Sequence, residues 1–259
     1  MTTPTIQELY CWLDQLAPFS TAEGFDNVGL LLGDKGREVH KVFFCLDADI
    51  ANVEEALSFG ADLMITHHPL IFRPLRRIDY TAPAGQALRK MVSAGVGLIS
   101  AHTNWDKAPG GVSDALTEKL ELTDVSPIDD FARTGLLPRP MTAAELKEYI
   151  GIRLDMEPRM YCASEKLIRK VAVAGGSYGE GAAQACEMGA DAYITGEIGY
   201  HDILDLNGLG LTLYQAGHFA TERPGIAALY NRFLEAASLA GWRTEARLST
   251  RVPFNGTPV

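Results

Sequence analysis

Cysteine is scarce and scattered: Cys11, Cys45, Cys162 and Cys186 are the only four, and no two form a C-x-x-C pair. That spacing suggests neither a disulfide framework nor a cysteine zinc site, and each is expected to be a small buried apolar residue. No apolar run approaches the ~18 residues a membrane span needs, so no membrane association is expected. The opening segment MTTPTIQELYCWLDQL lacks a basic stretch followed by a long apolar core, and a cytoplasmic location is expected. Basic residues are in deficit too. Twenty-three Lys and Arg against 33 Asp and Glu give a formal net charge of −10, which repels a phosphate backbone on average and makes nucleic acid a poor partner. Low-complexity tracts and repeats of roughly 20–50 residues are absent. What remains is an ordinary globular composition, 47% hydrophobic and 22% charged over 259 residues, enough for one large or two small domains.

Hydrophobic periodicity gives α/β layers. Ile6, Leu9, Leu13 and Leu16 at helical spacing predict a first helix over 4–17, closed by Pro18. A turn-rich stretch, GFDNVGLLLGD (24–34), precedes a buried strand (41–49), a helix (50–60) stopped by Gly60, a strand (61–69), a helix (86–95) and a strand (96–106) that runs into a polar turn. After a Pro-containing connection (124–141) the pattern returns: helix 143–151, strand 170–176, helix 179–189, strand 190–197, strand 211–218 and a long helix 222–241. Pro224 predicts that this helix starts near Glu222, because proline is tolerated in a first turn. Strands alternating with helices imply largely parallel sheets. We expect two α/β domains, 1–127 plus 225–259 and 128–224. ADLMITHHP and ADAYITGE share Ala-Asp-x-x-Ile-Thr, each after a glycine-terminated helix, which suggests that the two are related by duplication.

The chemistry gathers at strand ends. Of six histidines, His67 and His68 follow LMIT, His102 follows GLISA and His218 follows LTLYQAG. Ligands of open α/β sheets collect outside the carboxyl ends of strands, so these residues are candidates to converge, although a satisfied structural histidine is the alternative for any one of them. Adjacent strand residues face opposite ways, so His67 and His68 suit two different metals unless Pro69 turns both toward one pocket. Asp106 lies four residues past His102, and Glu222 four past His218. A carboxylate at a helix start can bridge two cations about 3.5–4 Å apart. Imidazole with carboxylate suits Zn, Fe, Ni or Mn rather than Ca or Mg.

Other motifs are weaker. GGSYG (175–179) could cradle a phosphate or simply pack tightly. DNVG (26–29) reads as an Asx-type turn. ITGEIGYHD offers Glu197 and His201, or only a surface helix start. Trp105 is a packing residue or a pocket wall.

In order, GFDNVGLLLG, LMITHHPLIF, SAHTNWD, GGVSDAL, VAVAGGS, DAYITGEIGYHD and GHFATE closely resemble the dinuclear-metal-centre family known as GTP cyclohydrolase 1 type 2-like or interacting-factor-three-like proteins. The resemblance spans about residues 24–222, and THHP with HTNWD and GH-x-ATE is its specific part. It implies two interlinked, similar α/β domains with mixed sheets flanked by helices, a two-metal site in the cleft between them, and a toroidal homohexamer built as a trimer of dimers. Carried over by position, the metal ligands are His67, His68, Asp106, His218 and Glu222, holding two divalent transition-metal ions, with His102 and His201 as proton-transfer groups. Phe25 replaces a tryptophan usual in the family, Gly199 replaces a basic residue, and the long middle insertion of some members is missing.

The function this implies is metal-dependent hydrolysis, with GTP as the implied substrate: water adds to the imidazole ring carbon between two nitrogens, the ring opens and formate is released. Arg73, Arg76 and Arg77 are the best candidates to meet a triphosphate; a solvated charged loop is the alternative. Two rival readings stay open: a two-metal hydrolase of a phosphoester, peptide or other amide, and a non-enzymatic metal-holding ring.

Overall fold

The computed structural model describes residues 2–253; the last six residues of the tail RVPFNGTPV, assigned above to the first domain, lie outside the described residues. In chain order the main elements are α1 (Ile6–Leu16), β1 (Gly29–Leu32), β2 (Lys41–Cys45), α2 (Ile50–Phe59), β3 (Leu63–Thr66), α3 (Pro83–Ala94), β4 (Gly97–Ser100), α4 (Thr103–Lys107), α5 (Val112–Lys119), β5 (Thr123–Pro127) and β6 (Arg133–Met141). They continue with α6 (Ala143–Leu154), β7 (Arg159–Tyr161), β8 (Ile168–Ser177), α7 (Gly181–Glu187), β9 (Ala192–Glu197), α8 (Tyr200–Leu206), β10 (Thr212–Gln215), α9 (His218–Ala240) and β11 (Glu245–Leu248). Two compact units result, one of residues up to Pro109 with Ile226–Arg251, the other of Gly110–Gly225.

The first unit holds a five-stranded sheet in the order β1-β4-β3-β2-β11, parallel except for the antiparallel edge strand β1. Alternation along β2 sends Phe43 to one face, 6.4 Å from Phe59 of α2, and Phe44 to the other, 5.4 Å from Phe233 of α9. On the first face Val53, Ala56, Met64, Ala87 and Met91 complete a packed layer. Burying a side chain of this size stabilises by about 1.5–3 kcal/mol, so the central strands read as continuous apolar runs. Helix α1 is held by a capping box in which Thr5 and Glu8 satisfy each other's backbone N–H groups.

The second unit holds a six-stranded mixed sheet, β5-β6-β8-β9-β10-β7, in which only β8, β9 and β10 run parallel. Leu116 of α5 and Leu146 and Ile150 of α6 share one core with Val171 and Val173 of β8, and Ala182 and Ala185 of α7 share another with Tyr193 of β9. Residues 124–141, expected as a connection, are instead mostly strand. The two prolines inside β6, Pro138 and Pro140, fall where its register against β8 shifts between Leu136 and Met141, so neither removes a ladder hydrogen bond.

The sequence echo is structural. Asp62 accepts hydrogen bonds from the N–H groups of His40 and Lys41 at the start of β2 (2.9 and 3.1 Å), and Asp191 accepts from those of Arg169 and Lys170 on β8 (2.9 and 3.0 Å). Lys41 Nζ donates to the Phe59 carbonyl near the end of α2, and Lys170 Nζ to the Met188 carbonyl at the end of α7. Ala101 N–H binds the Thr66 carbonyl, and Ala216 N–H binds that of Thr195. The match sets Thr66-His67-His68 against Thr195-Gly196-Glu197 as equivalent strand ends.

Candidate metal centre

In the first unit, three strand ends converge. The Thr66 hydroxyl, 2.7 Å from the Ser100 hydroxyl, donates to the carbonyl of His68 (2.9 Å) and turns the chain just as β3 stops. His67 is 1% exposed, and its Nδ1 lies 2.9 Å from the Ala101 carbonyl. A carbonyl only accepts, so Nδ1 carries a proton, and in the neutral ring Nε2 presents a lone pair. That Nε2 faces Asp106 Oδ1 of α4 at 3.6 Å. His68 Nδ1 lies 2.8 Å from Asp47 Oδ1, just past β2. His102, past β4, places Nδ1 2.9 Å from Asp26 Oδ1. One ring nitrogen from each of the three histidines lies within 4.8 Å of the others.

Asp26 is the residue sequence reading passed over as a turn former. Its second oxygen accepts from the N–H and hydroxyl of Thr103 (3.1 and 2.5 Å), which starts α4. Burial pushes its pKa up, but the hydrogen bonds from His102 and Thr103 outweigh this and hold the carboxyl well below the ordinary carboxylate range. Asp47 was also missed; its signal was a carboxylate at the end of an apolar strand, in CLDAD.

In the second unit, His218 and Glu222 sit one helical turn apart with His218 Nε2 3.0 Å from Glu222 Oε1, and Glu197 approaches His218 Nδ1 at 3.4 Å. Glu222 is 4% exposed. The expected helix start near Glu222 is corrected: α9 begins at His218, so that residue is a helix residue and Pro224 lies inside the helix. Pro224 does not mark the first turn; the start is made by Gly217 at φ +77°, whose carbonyl accepts from the N–H of Thr221. Two glycines clear the space around the pair. At Gly176, with φ +64°, a Cβ would collide with Glu222 Oε1; at Gly196 it would come within 2.5 Å of the Gly176 carbonyl and 2.7 Å of the Thr221 hydroxyl. His201 is an exposed residue of α8, its ring 5.4 Å from that of Tyr200.

The donor set fits a transition metal. An imidazole lone pair facing a carboxylate oxygen at 3.6 Å sets two acceptors against each other. Two ligand atoms on one ion at about 2.0–2.2 Å each are separated by about 3–3.6 Å. The His67–Asp106 and His218–Glu222 separations both fall in that range. The carboxylate partners behind His68 and His102 are the arrangement that fixes a ligating or reacting imidazole in one tautomer.

A family model described as Duf34/NIF3 (NGG1p interacting factor 3) matches residues 4–252. The chain belongs to this family. A protein from Clostridium perfringens named GTP cyclohydrolase 1 type 2 homolog is 35% identical over 221 residues, 82% of this chain and 84% of its own length. A Drosophila melanogaster protein named NIF3-like protein 1 is 30% identical over 223 residues, 82% of this chain and 75% of its own. Among solved structures, a Staphylococcus aureus hypothetical protein superposes with a TM-score of 0.93 at 27% identity, covering 99% of this chain and 100% of its own. A Bacillus cereus protein related to NIF3 shares the fold at a TM-score of 0.94 and 21% identity, covering 98% of each chain.

Proposed function

We propose that this Duf34/NIF3 member is a dinuclear metal-dependent hydrolase. The observation that carries the reading is the convergence of His67, His68 and His102: each Nδ1 lies within 2.9 Å of an oxygen, and one ring nitrogen of each lies within 4.8 Å of the others, a cluster of the residue type that ligates transition metals. The proposed ligands, for two ions of the Zn, Fe, Mn or Ni type, are His67, His68, Asp106, His218 and Glu222. Such ions lower the pKa of water toward neutrality and polarise a substrate oxygen. His102 would hold or deliver a proton at Nε2, with Asp26 keeping its ring in place; His201 is the second proton-transfer candidate. The names of the relatives support ring opening of GTP as the first reaction to test. We also propose that the working form is a cytoplasmic homohexamer, a trimer of dimers in a ring; among the described residues no helix is long and apolar enough to cross a membrane.

The test is protein loaded with zinc or manganese, incubated with GTP, phosphodiesters and peptides, with products followed by mass. Turnover that disappears in His68→Ala, with the light-scattering mass of a hexamer kept, supports the proposal. A protein carrying two ions per chain and inert on the whole panel overturns it in favour of a metal-holding scaffold.

A further inference from the structure

Glu197, the carboxylate of the ITGEIGYHD stretch, stands outside the proposed ligand set. It ends β9, which lies between β8 and β10 in the second sheet and runs parallel to both. The chains leaving β9 and β10 stay joined beyond the strands: Ala216 N–H donates to the Thr195 carbonyl at 2.8 Å, and Gly217 N–H to the Gly196 carbonyl at 3.0 Å. The next residues are Glu197 on one side and His218 on the other, and Glu197 Oε1 stands 3.4 Å from His218 Nδ1. Among the described residues this is the only ion pair or hydrogen bond of the Glu197 carboxylate, whose side chain is 48% exposed and fills no place in a core. The other nitrogen of the same ring, Nε2, faces the buried Glu222 Oε1 at 3.0 Å.

The first unit shows the same pairing with its parts exchanged. There the strand-end residue is the imidazole, His68, and Asp47 Oδ1, from just past β2, meets its Nδ1 at 2.8 Å. At the equivalent strand end of the second unit the carboxylate is Glu197, and the imidazole arrives on α9. Two different arrangements of the chain therefore put a carboxylate at Nδ1 of a histidine in the proposed ligand set.

We propose that Glu197 is a positioning residue that holds His218 in its metal-binding tautomer. The proposal rests on the reading of His218 as a ligand, and it deepens that reading by naming what prepares the ring. A carboxylate accepts and does not donate, so Glu197 draws the ring proton to Nδ1 and leaves the Nε2 lone pair toward Glu222. It also fixes the plane of the ring and makes the ligating nitrogen more basic. Glu197 lies on the Nδ1 side, away from Glu222, and acts through His218 rather than as a ligand.

The experiment is zinc affinity, measured by competition with a chromogenic chelator at one fixed pH, in full-length wild type, Glu197→Ala, Glu197→Gln and Glu118→Ala. Glu118 is an exposed glutamate of α5, so its removal takes away the same charge elsewhere in the same unit. Glu197→Ala should weaken zinc binding roughly 10- to 100-fold, the usual cost of losing the partner behind a ligating histidine. Glu197→Gln, which keeps an accepting oxygen but not the charge, should fall between that variant and wild type, and Glu118→Ala should match wild type. The visible spectrum of cobalt-loaded protein should shift in Glu197→Ala and not in Glu118→Ala, while the urea midpoints of the four metal-free proteins coincide. Wild-type zinc affinity in Glu197→Ala, an equal loss in Glu118→Ala, or a drop in the metal-free midpoint that accounts for the loss would each overturn the proposal. Zinc affinity that depends on Glu197 in a protein inert on every substrate sinks the hydrolase reading alone. Turnover that needs His68, with zinc affinity indifferent to Glu197, sinks the positioning role alone.

Discussion

Asp26 Oδ1 and His102 Nδ1 lie 2.9 Å apart, although 76 residues of sequence separate them. The contact joins a loop ahead of the first sheet to the end of β4, and it gives the imidazole one tautomer and one orientation.

Asp26→Asn should therefore lower turnover roughly 10- to 100-fold, the usual cost of removing a group that orients a working histidine. The amide supplies one acceptor oxygen where the carboxylate supplies two, so either His102 or Thr103 loses its partner. Steady-state kinetics with metal analysis of the same sample checks this; undiminished turnover would remove His102 from the proton-transfer role.

Glu222→Gln and His102→Ala should separate metal holding from chemistry. The amide keeps the shape of Glu222 but not its charge, so nearby dications would repel each other with less compensation, and loss of at least one ion per chain is expected. His102→Ala should keep its metal and lose turnover. Elemental analysis showing the reverse order would exchange the two roles.

Asp62→Asn should act on stability in a pH-dependent way. Burial pushes the Asp62 carboxyl up, but hydrogen bonds from Arg37 and from the N–H groups of His40 and Lys41 outweigh it, and its pKa is lowered. A depressed folded-state pKa gives stability that is present above the unfolded value, about 3.9, and lost as pH falls through the folded value. Urea melts should show the variant less stable than wild type at pH 7, with the gap closing as pH drops below about 4. An equal gap at pH 7 and pH 3 would mean that the charge is not what the fold uses.

Gly196→Ala should cost about 1–3 kcal/mol by overpacking and weaken metal retention with it, because the added methyl meets the Gly176 carbonyl, the Thr221 hydroxyl and the His218 backbone. Gly24→Ala, where a Cβ meets nothing within 4 Å, is the control and should change neither. Thermal melts and metal titration of the two variants decide it.

Local signals carried most of the elements. The apolar run LMIT before HHP marks β3, and Gly60, at φ +79°, ends α2 where its sequence says it should. What stayed hidden was long-range or conditional. Asp26 shows its use only when β4 has brought His102 beside it. Prolines 138 and 140 argue against a strand until the bulge in β6 is seen, and nothing local in Glu245–Leu248 announces that β11 will pair in parallel with β2, some 200 residues earlier. Proline misled again at the start of α9, where Gly217 and not Pro224 sets the first turn. His67, His68 and His102 were legible because they follow β3 and β4, whose carboxyl ends lie side by side in one sheet, and His218 because it follows β10 in the other.

The paired strand ends are not interchangeable. His67 in one unit and Gly196 in the other occupy the same place after the same Ala-Asp-x-x-Ile-Thr run. The Gly176 carbonyl and Thr221 hydroxyl close over position 196, so an imidazole placed there would meet both groups and the backbone of His218 at once. The second strand end is shaped against the very side chain that the first presents, so no single substitution at position 196 makes the two ends chemically alike.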